Sequence, residues 1–371
     1  MGLKRLVLLT VSLGLALVIA EAALRLFGVS PELLYRPDPW IGWGHYADNR
    51  FRFTTEGQTV DVAINSKGLR DIEHAYEKPP GKSRILVLGD SFMEALQVPL
   101  EQAFSRALER ELREVGRDVN VINAGTSGYG TDNELLFYRH EGRRYEPDLV
   151  LLAFCLYNDV RNNWHELERI EVGGPRKPHF TLGSHGLVPV AYPFDRPETM
   201  TVRVKLWLNR NVRSYALVRI LRDELRHRRV VAEAGMPLDF SIYRAAPPPD
   251  WETAWKVTEA LLARLRDEVG ADGSELWVMP IPSLVQVDSE AWSEARERYP
   301  ELLEGPWDLE APNRRLTEIL DRLAIPSVEL LATFRDVAKQ EAPALYLRSD
   351  EHWTAAGHLL AARLTRDALV R

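Results

Sequence analysis

Residues 85–94 read ILVLGDSFME, an apolar run that ends on Gly89, Asp90 and Ser91. Such a run is typical of a buried parallel strand that meets its turn. Helical spacing follows over 96–115. We therefore predict that Ser91 lies at a strand-to-helix junction, where ligands bind in open α/β sheets. A helix cap by Asp90 or Ser91 is the alternative, and this stretch alone does not decide between the two.

The same alternation of apolar strands and helices continues along the chain. Its βαβαβ order predicts a parallel sheet with right-handed crossovers. The predicted strands are 84–88, 118–123, 148–156, 275–280 and 327–331. The predicted helices are 101–115, 132–143, 251–269, 309–323 and 354–369.

The pattern is interrupted twice, which suggests the domain organisation. Residues 29–80 contain Pro, Gly and aromatic residues, and we interpret them as an N-terminal elaboration with short strands near 51–54 and 60–64. Residues 81–371 form the main domain, with an insertion at about 165–250 where the βα rhythm lapses. An insertion of this length suggests a cover over a site.

The first 28 residues predict a membrane or export segment. Lys4 and Arg5 precede the uncharged run 6–20. This length lies between a signal-peptide core and a full membrane span, so a retained anchor and a cleaved signal are both open. Either predicts that the bulk of the protein is exported, with the N-terminus on the cytoplasmic side.

Composition excludes several classes of protein. The net charge of −7 gives no reason to expect nucleic acid as a partner. Cys155 is the only cysteine, so no intramolecular disulfide can form, and we predict that it packs in the core. No group of His and carboxylate residues has metal-ligand spacing, so we predict no metal and no cofactor. The sequence does not indicate the oligomeric state.

A basic stretch lies within the predicted insertion. Residues 202–229 hold nine Lys or Arg residues against two acidic residues, with apolar side chains interspersed. This pattern predicts a basic amphipathic helix that binds an anionic membrane surface or an acidic glycan. A solvated helix that covers the sheet is the alternative.

Three further segments carry candidate site residues. VINAGTSGYGT (121–131) follows the second strand with three closely spaced glycines, which can present backbone N–H groups to a ligand. Asn158 follows the third strand. Asp350 and His352 lie two residues apart before the last helix, and such a pair supports general-base action. Each has a plainer alternative as a turn, cap or surface residue.

The order of these segments resembles the SGNH hydrolases, also called GDSL esterases. The resemblance covers about 83–165 and 325–371, and it implies a three-layer α/β/α, flavodoxin-like parallel sheet. It also implies that Ser91 is the nucleophile, His352 the general base and Asp350 the residue that orients the base. The implied oxyanion hole consists of the backbone N–H groups of Ser91 and Gly128 and the side-chain amide of Asn158.

The last block departs from the usual D-x-x-H of that family. Here Asp350 and His352 form D-x-H, followed by Trp353, which resembles bacterial polysaccharide O-acetyltransferases of the alginate-modifying kind. We therefore expect a membrane-anchored bacterial serine esterase of the inner membrane, with its site in the periplasm or extracellular space. Its expected substrates are O-acyl, above all O-acetyl, esters of carbohydrates. The alternatives are an O-acetyltransferase that uses the same triad and a catalytically silent glycan-binding or assembly protein.

Overall fold

The computed structural model describes residues 3–27, 34–172, 177–184, 186–190, 200–340 and 343–371. The chain divides into two compact units. One comprises Met1–Pro39 and Pro193–Gly235, and the other comprises Trp40–Tyr192 and Met236–Arg371. The boundaries that the sequence suggests at 28, 80 and about 165–250 stay predictions.

Helices and strands are numbered here in chain order. The helices are α1 Leu3–Leu26, α2 Ser91–Glu94, α3 Phe104–Glu114, α4 Thr131–His140, α5 Asp159–Asn162, α6 His165–Val172, α7 Met200–Asn211, α8 Arg213–Ala234, α9 Pro249–Ala271, α10 Leu284–Val287, α11 Ser289–Arg298, α12 Ala311–Leu323, α13 Leu331–Ala338 and α14 Ala355–Val370. The strands are β1 Tyr35–Asp38, β2 Gly42–His45, β3 Arg50–Thr55, β4 Gln58–Ala63, β5 Ser83–Gly89, β6 Val119–Asn123, β7 Leu149–Cys155, β8 His179–Gly183, β9 Gly186–Val190 and β10 Glu275–Ile281.

A parallel sheet of four strands, in the order β10-β7-β5-β6, forms the centre of the second unit. This confirms the predicted parallel sheet and four of its strands. The strands are apolar because both faces are covered: every residue of β7 after Leu149 is buried, including Cys155. Each fully buried aliphatic side chain stabilises the fold by about 1.5–3 kcal/mol.

Helices pack against this sheet in two groups, α3 with α14 and α4 with α9. The connection from β5 to β6 runs in one direction across the sheet, and the connection from β6 to β7 runs back past β5. Right-handed crossovers therefore place α3 and α4 on opposite faces. This doubly wound arrangement brings the carboxyl ends of β5, β6 and β7 to one edge.

The predicted strand at 327–331 is wrong. Only Ser327 forms an isolated bridge, to Val278, and α13 begins at Leu331. Val328 donates its N–H to the Val278 carbonyl before the chain turns into this helix. The segment thus meets β10 for too few residues to extend the sheet.

Within the first unit, α1 contacts α8, and α7 contacts α8. The carboxylate of Glu21 accepts hydrogen bonds from the backbone N–H groups of Arg213 (3.1 Å) and Ser214 (2.9 Å), at the start of α8. This cap lowers the pKa of Glu21 to about 2. It also explains why the predicted single helix at 202–229 is two helices, because a capped N-terminus begins a new helix.

Among the described helices, none combines the length and hydropathy that crossing a membrane requires. The predicted transmembrane helix at 1–28 is therefore not supported. Its described part, α1, carries Glu21 and Arg25, whose side chains pair at 2.7 Å. Residues 1, 2 and 28 lie outside the described ranges.

The short strands predicted near 51–54 and 60–64 are confirmed as the antiparallel hairpin β3–β4. Its turn consists of Glu56 (φ 46°) and Gly57 (φ 76°). Positive φ at both central residues is typical of the type I′ turn, whose twist matches that of the strands it joins.

Candidate active site

Ser91 begins α2 directly after β5, as the sequence predicts. Asp90 is the N-cap, and its Oδ1 accepts a hydrogen bond from the Phe92 N–H at 2.9 Å. Asp90 is fully buried, which raises the pKa of its carboxyl group. The helix ends after one turn because Ala95 adopts a left-handed conformation with φ 55°. Ser91 is thereby fixed at the sheet edge with its side chain partly exposed.

The glycine-rich loop after β6 packs directly against this turn. Thr126 donates its N–H to the Gly89 carbonyl at 3.0 Å. A Cβ at Gly125 would lie 2.4 Å from the Glu94 backbone nitrogen, so only glycine permits this approach. Gly128 has φ 77°, a conformation that favours glycine. The loop therefore holds Gly128 at the edge where Ser91 lies.

Asn158 follows β7 at the same edge and is partly exposed. Its Nδ2 donates a hydrogen bond to Asp90 Oδ2 at 3.1 Å. Its Oδ1 has no hydrogen-bond partner among the described residues. One N–H of the amide is thus committed to Asp90, which leaves the second N–H available to a ligand.

Asp350 and His352 lie in a tight turn that precedes α14. The Leu347 N–H donates to the His352 carbonyl at 2.8 Å, and Tyr346 bridges to Trp353. Glu351 lies at the tip with φ 64°. The sequence predicts an extended loop here. Instead, the left-handed residue between them turns both side chains to the same side.

Ser91, His352 and Asp350 form one continuous chain of contacts. Ser91 Oγ lies 2.7 Å from His352 Nε2, and His352 Nδ1 lies 2.7 Å from Asp350 Oδ1. Nδ1 is also 2.9 Å from the Asp350 carbonyl oxygen. Two acceptors at Nδ1 place the proton there, which leaves Nε2 to accept the Ser91 hydroxyl proton.

The charge environment of His352 favours its protonated form. Burial opposes the charged imidazolium, but the hydrogen bond to Asp350 and the charges of Asp350 and Asp90 outweigh it and raise the pKa of His352. Burial also acts against the Asp350 charge, but the hydrogen bond and charge of His352, together with the hydrogen bonds from Thr55 and Gln97, outweigh it, so the pKa of Asp350 is lowered. The pair therefore suits a base that must hold a proton transiently.

Three residues around Asp350 were not predicted from the sequence. Thr55 Oγ1 donates to Asp350 Oδ2 at 2.9 Å, and Gln97 Nε2 donates to Asp350 Oδ1 at 2.9 Å. Glu56 Oε1 accepts from the Asp350 N–H at 3.1 Å. Thr55 and Asp350 are separated by 295 positions, and no local motif marks such contacts.

His358, which lies six residues after His352, is a packing residue. It is buried in α14, and its ring lies 5.5 Å from that of Trp353. Burial lowers its pKa to about 3. In the described part of the chain, no three or more His, Cys, Asp or Glu side chains are arranged to hold a metal ion.

Sequence comparison agrees with this geometry. Residues 243–371 match the family described as "SGNH hydrolase-like domain, acetyltransferase AlgX". This match confirms the resemblance that the motifs predict: residues 243–371, which include Asp350 and His352, are similar to the SGNH hydrolase-like domain of the AlgX acetyltransferases.

Individual relatives cover different shares of the chain. An arylesterase of Vibrio mimicus is 41% identical over 78 residues, which are 21% of this chain and 39% of the relative. The chain thus matches well under half the length of that protein. A catalytic mutant of the Geobacillus stearothermophilus acetylxylan esterase Axe2 is 15% identical, with a TM-score of 0.41, over 78% of this chain and 94% of that one. TesA is 14% identical, with a TM-score of 0.40, over 77% of this chain and 98% of TesA.

Proposed function

We propose that the protein is a serine esterase that cleaves O-acyl esters, with O-acetyl esters of carbohydrates as its substrate class. The observation that carries the proposal is the pair of 2.7 Å contacts that join Ser91, His352 and Asp350. A serine hydroxyl is a poor nucleophile without a base, and such a chain supplies one. The match to an SGNH hydrolase-like domain supports ester chemistry.

The proposed reaction has two steps. In the first, Ser91 Oγ attacks the acyl carbonyl while His352 Nε2 takes the hydroxyl proton. The tetrahedral intermediate collapses when His352 returns that proton to the departing alcohol oxygen, which leaves an acyl ester on Ser91. In the second step, His352 takes a proton from water, and the water oxygen attacks the acyl carbonyl. The bond between the acyl carbon and Ser91 Oγ then breaks, His352 returns the proton to Oγ, and the carboxylic acid leaves.

The developing oxyanion needs donors that are already in place. We assign this role to the N–H groups of Ser91 and Gly128 and to the free N–H of Asn158. Their positions are supported by the contact between the Gly125 loop and α2, and by the Asn158–Asp90 hydrogen bond. Donors that need no reorientation stabilise the transition state most.

Replacing Asn158 with Ala is expected to lower kcat by about 100- to 1000-fold, which is typical of the loss of one oxyanion donor. KM should change little, because the interaction forms mainly in the transition state. The measurement is steady-state hydrolysis of p-nitrophenyl acetate, with the melting temperature as a check on folding. A folded variant that keeps wild-type kcat would remove Asn158 from the oxyanion hole.

Acyl transfer to a sugar hydroxyl is the second candidate function. It is favoured by the match of residues 243–371 to the family described with acetyltransferase AlgX. The two functions differ only in the acceptor of the second step. Mass spectrometry of reactions with an acetyl donor and an oligosaccharide distinguishes them: hydrolysis yields free acetate, and transfer adds 42 Da per acetyl group, about the mass of C₂H₂O.

A catalytically silent glycan-binding or assembly protein is the third candidate, and it would keep the fold without acylation of Ser91. Fluorophosphonate labelling distinguishes it from both enzymes, since the probe reacts only with an activated serine. Unlabelled, correctly folded wild-type protein would favour this candidate.

We also propose that the protein is exported and attached to a bacterial inner membrane. The support is the Lys4–Arg5 pair before the uncharged run 6–20, together with the basic residues of 202–229. Fractionation of cells that express the full chain tests this. We expect the protein in the membrane fraction, exposed to the periplasm. Recovery in the cytosol alone would contradict the proposed export and attachment.

A further inference from the structure

The β3–β4 hairpin contacts the turn that carries Asp350, the carboxylate that orients His352. Thr55 Oγ1, at the end of β3, donates to Asp350 Oδ2 at 2.9 Å. The next residue, Glu56, accepts from the backbone N–H groups of Ser349 and, at 3.1 Å, Asp350. Two consecutive hairpin residues thus bind both the side chain and the backbone of this turn.

Gln97 holds the other carboxylate oxygen of Asp350. Gln97 Nε2 donates to Asp350 Oδ1 at 2.9 Å, and this oxygen also accepts from His352 Nδ1. The Gln97 segment is fixed by the buried guanidinium of Arg70, which donates to the carbonyls of Glu94 and Val98 at 2.6 Å each. Arg70 therefore fixes the backbone on either side of Gln97, which keeps Gln97 in place as a donor to Asp350.

The two oxygens of Asp350 differ in what holds them. Oδ1 accepts from both His352 and Gln97, whereas Thr55 is the donor that the structure gives to Oδ2. A carboxylate rotates readily about its terminal torsion, which is broad and roughly two-fold. Without a donor on Oδ2, this carboxylate loses the contact that opposes rotation away from the imidazole.

We propose that Thr55 and Glu56 are positioning residues, which hold Asp350 in the orientation that keeps His352 aligned with Ser91. This inference rests on the proposed serine mechanism. The hairpin is then a functional part of the site rather than a peripheral addition. Thr55 and Glu56 contact Asp350 and not the Ser91 hydroxyl, so both act on the reaction through Asp350.

The central test compares Thr55→Val, which removes only the hydroxyl, with Thr55→Ser, which keeps it. We expect Thr55→Val to lower kcat about 10-fold, the lower end of the usual effect of partners that orient a site residue. KM should be unchanged in Thr55→Val. Thr55→Ser should keep kcat within about two-fold of the wild-type value.

Thr54→Val is the matched control. Thr54 lies one residue earlier on β3 and faces the other side, where its Oγ1 is 2.9 Å from Thr59 Oγ1. It makes the same change of chemistry in the same hairpin without a contact to Asp350. We expect wild-type kcat for this variant, and a 10-fold loss here would mean that damage to the hairpin, not the missing hydroxyl, causes the effect.

The pH profile of kcat/KM gives a readout that general destabilisation would not move. The ionisable groups that act on His352 are Asp350 and Asp90, with Glu351 and His358 also in its field. Without the Thr55 hydroxyl, the Asp350 carboxylate is free to turn away from His352 Nδ1, which weakens the hydrogen bond and the charge interaction that raise the pKa of His352. The acid limb of the profile should therefore move to lower pH.

Glu56→Ala tests the inference if Thr55→Val does not fold, because Glu56 lies in an exposed turn. A loss in kcat of at least about three-fold, with unchanged KM, is expected from a loosened Asp350 backbone. Ser91→Ala is assayed in parallel. If wild type and Ser91→Ala are equally active or equally inactive, the proposed function fails. If only Ser91→Ala is inactive while Thr55→Val and Glu56→Ala match wild type, the positioning role fails.

Discussion

Replacement of Ser91 by Ala is expected to remove both ester hydrolysis and labelling by a fluorophosphonate probe. Alanine has no oxygen to form the acyl ester, so only the contribution of the oxyanion donors and substrate binding remains. Loss of a triad nucleophile typically lowers kcat by about 10⁴-fold or more. Because Ser91 is partly exposed, the fold should tolerate the smaller side chain.

The measurement combines p-nitrophenyl acetate hydrolysis with probe labelling followed by peptide mass spectrometry. Ser83→Ala is a matched control, since Ser83 is exposed at the other end of the same strand, β5. It should hydrolyse the ester and accept the probe like wild type. Labelling that persists in Ser91→Ala would identify another nucleophile and refute the assignment.

Replacement of Asp350 by Asn is expected to lower kcat by about 10⁴-fold, the size of effect known for the equivalent change in a serine triad. The neutral amide can present an N–H to Nδ1, which favours the wrong tautomer of His352. It also removes the charge that stabilises the imidazolium. Glu351→Gln is the control, because it neutralises the neighbouring carboxylate without altering the 2.7 Å contact to Nδ1.

The pH dependence of this variant has a definite sign. Hydrolysis needs neutral His352, so activity falls as the pH decreases through the pKa of His352. In the wild type, burial opposes the charged imidazolium, but the hydrogen bond and charge of Asp350, with the charge of Asp90, outweigh it and raise that pKa above the ordinary value for histidine. Asp350→Asn should therefore move the acid limb of kcat/KM to lower pH. A limb that stays in place would mean that Asp350 does not govern the titration of the base.

Sequence reasoning reached the parallel sheet because its strands leave ordered local signals, and it reached the meeting of Ser91, His352 and Asp350 through the resemblance of their ordered motifs to the SGNH hydrolases. Each strand is a continuous apolar run, and each site residue follows one or precedes a helix. Gly125 and Gly128 are marked in the same way, since close approach and positive φ both require glycine.

Features that depend on a single distant contact were not predictable. Thr55 and Gln97 are ordinary residues in a strand and a loop, and only the tertiary structure brings them to Asp350. The break between α7 and α8 depends on Glu21, which lies 192 positions before Arg213. The segment 327–331 has strand-like composition, but α13 begins at its last residue. In each case a tertiary contact overrides or supplements the local pattern.

The separation of the site residues along the chain has a consequence for biosynthesis. His352 lies 261 positions after Ser91, so a ribosome-bound chain exposes the serine long before any base exists to activate it. Under the proposed mechanism, Ser91 therefore lacks its base throughout that interval. A fragment that ends ahead of Asp350 would never gain one, however well its sheet has formed.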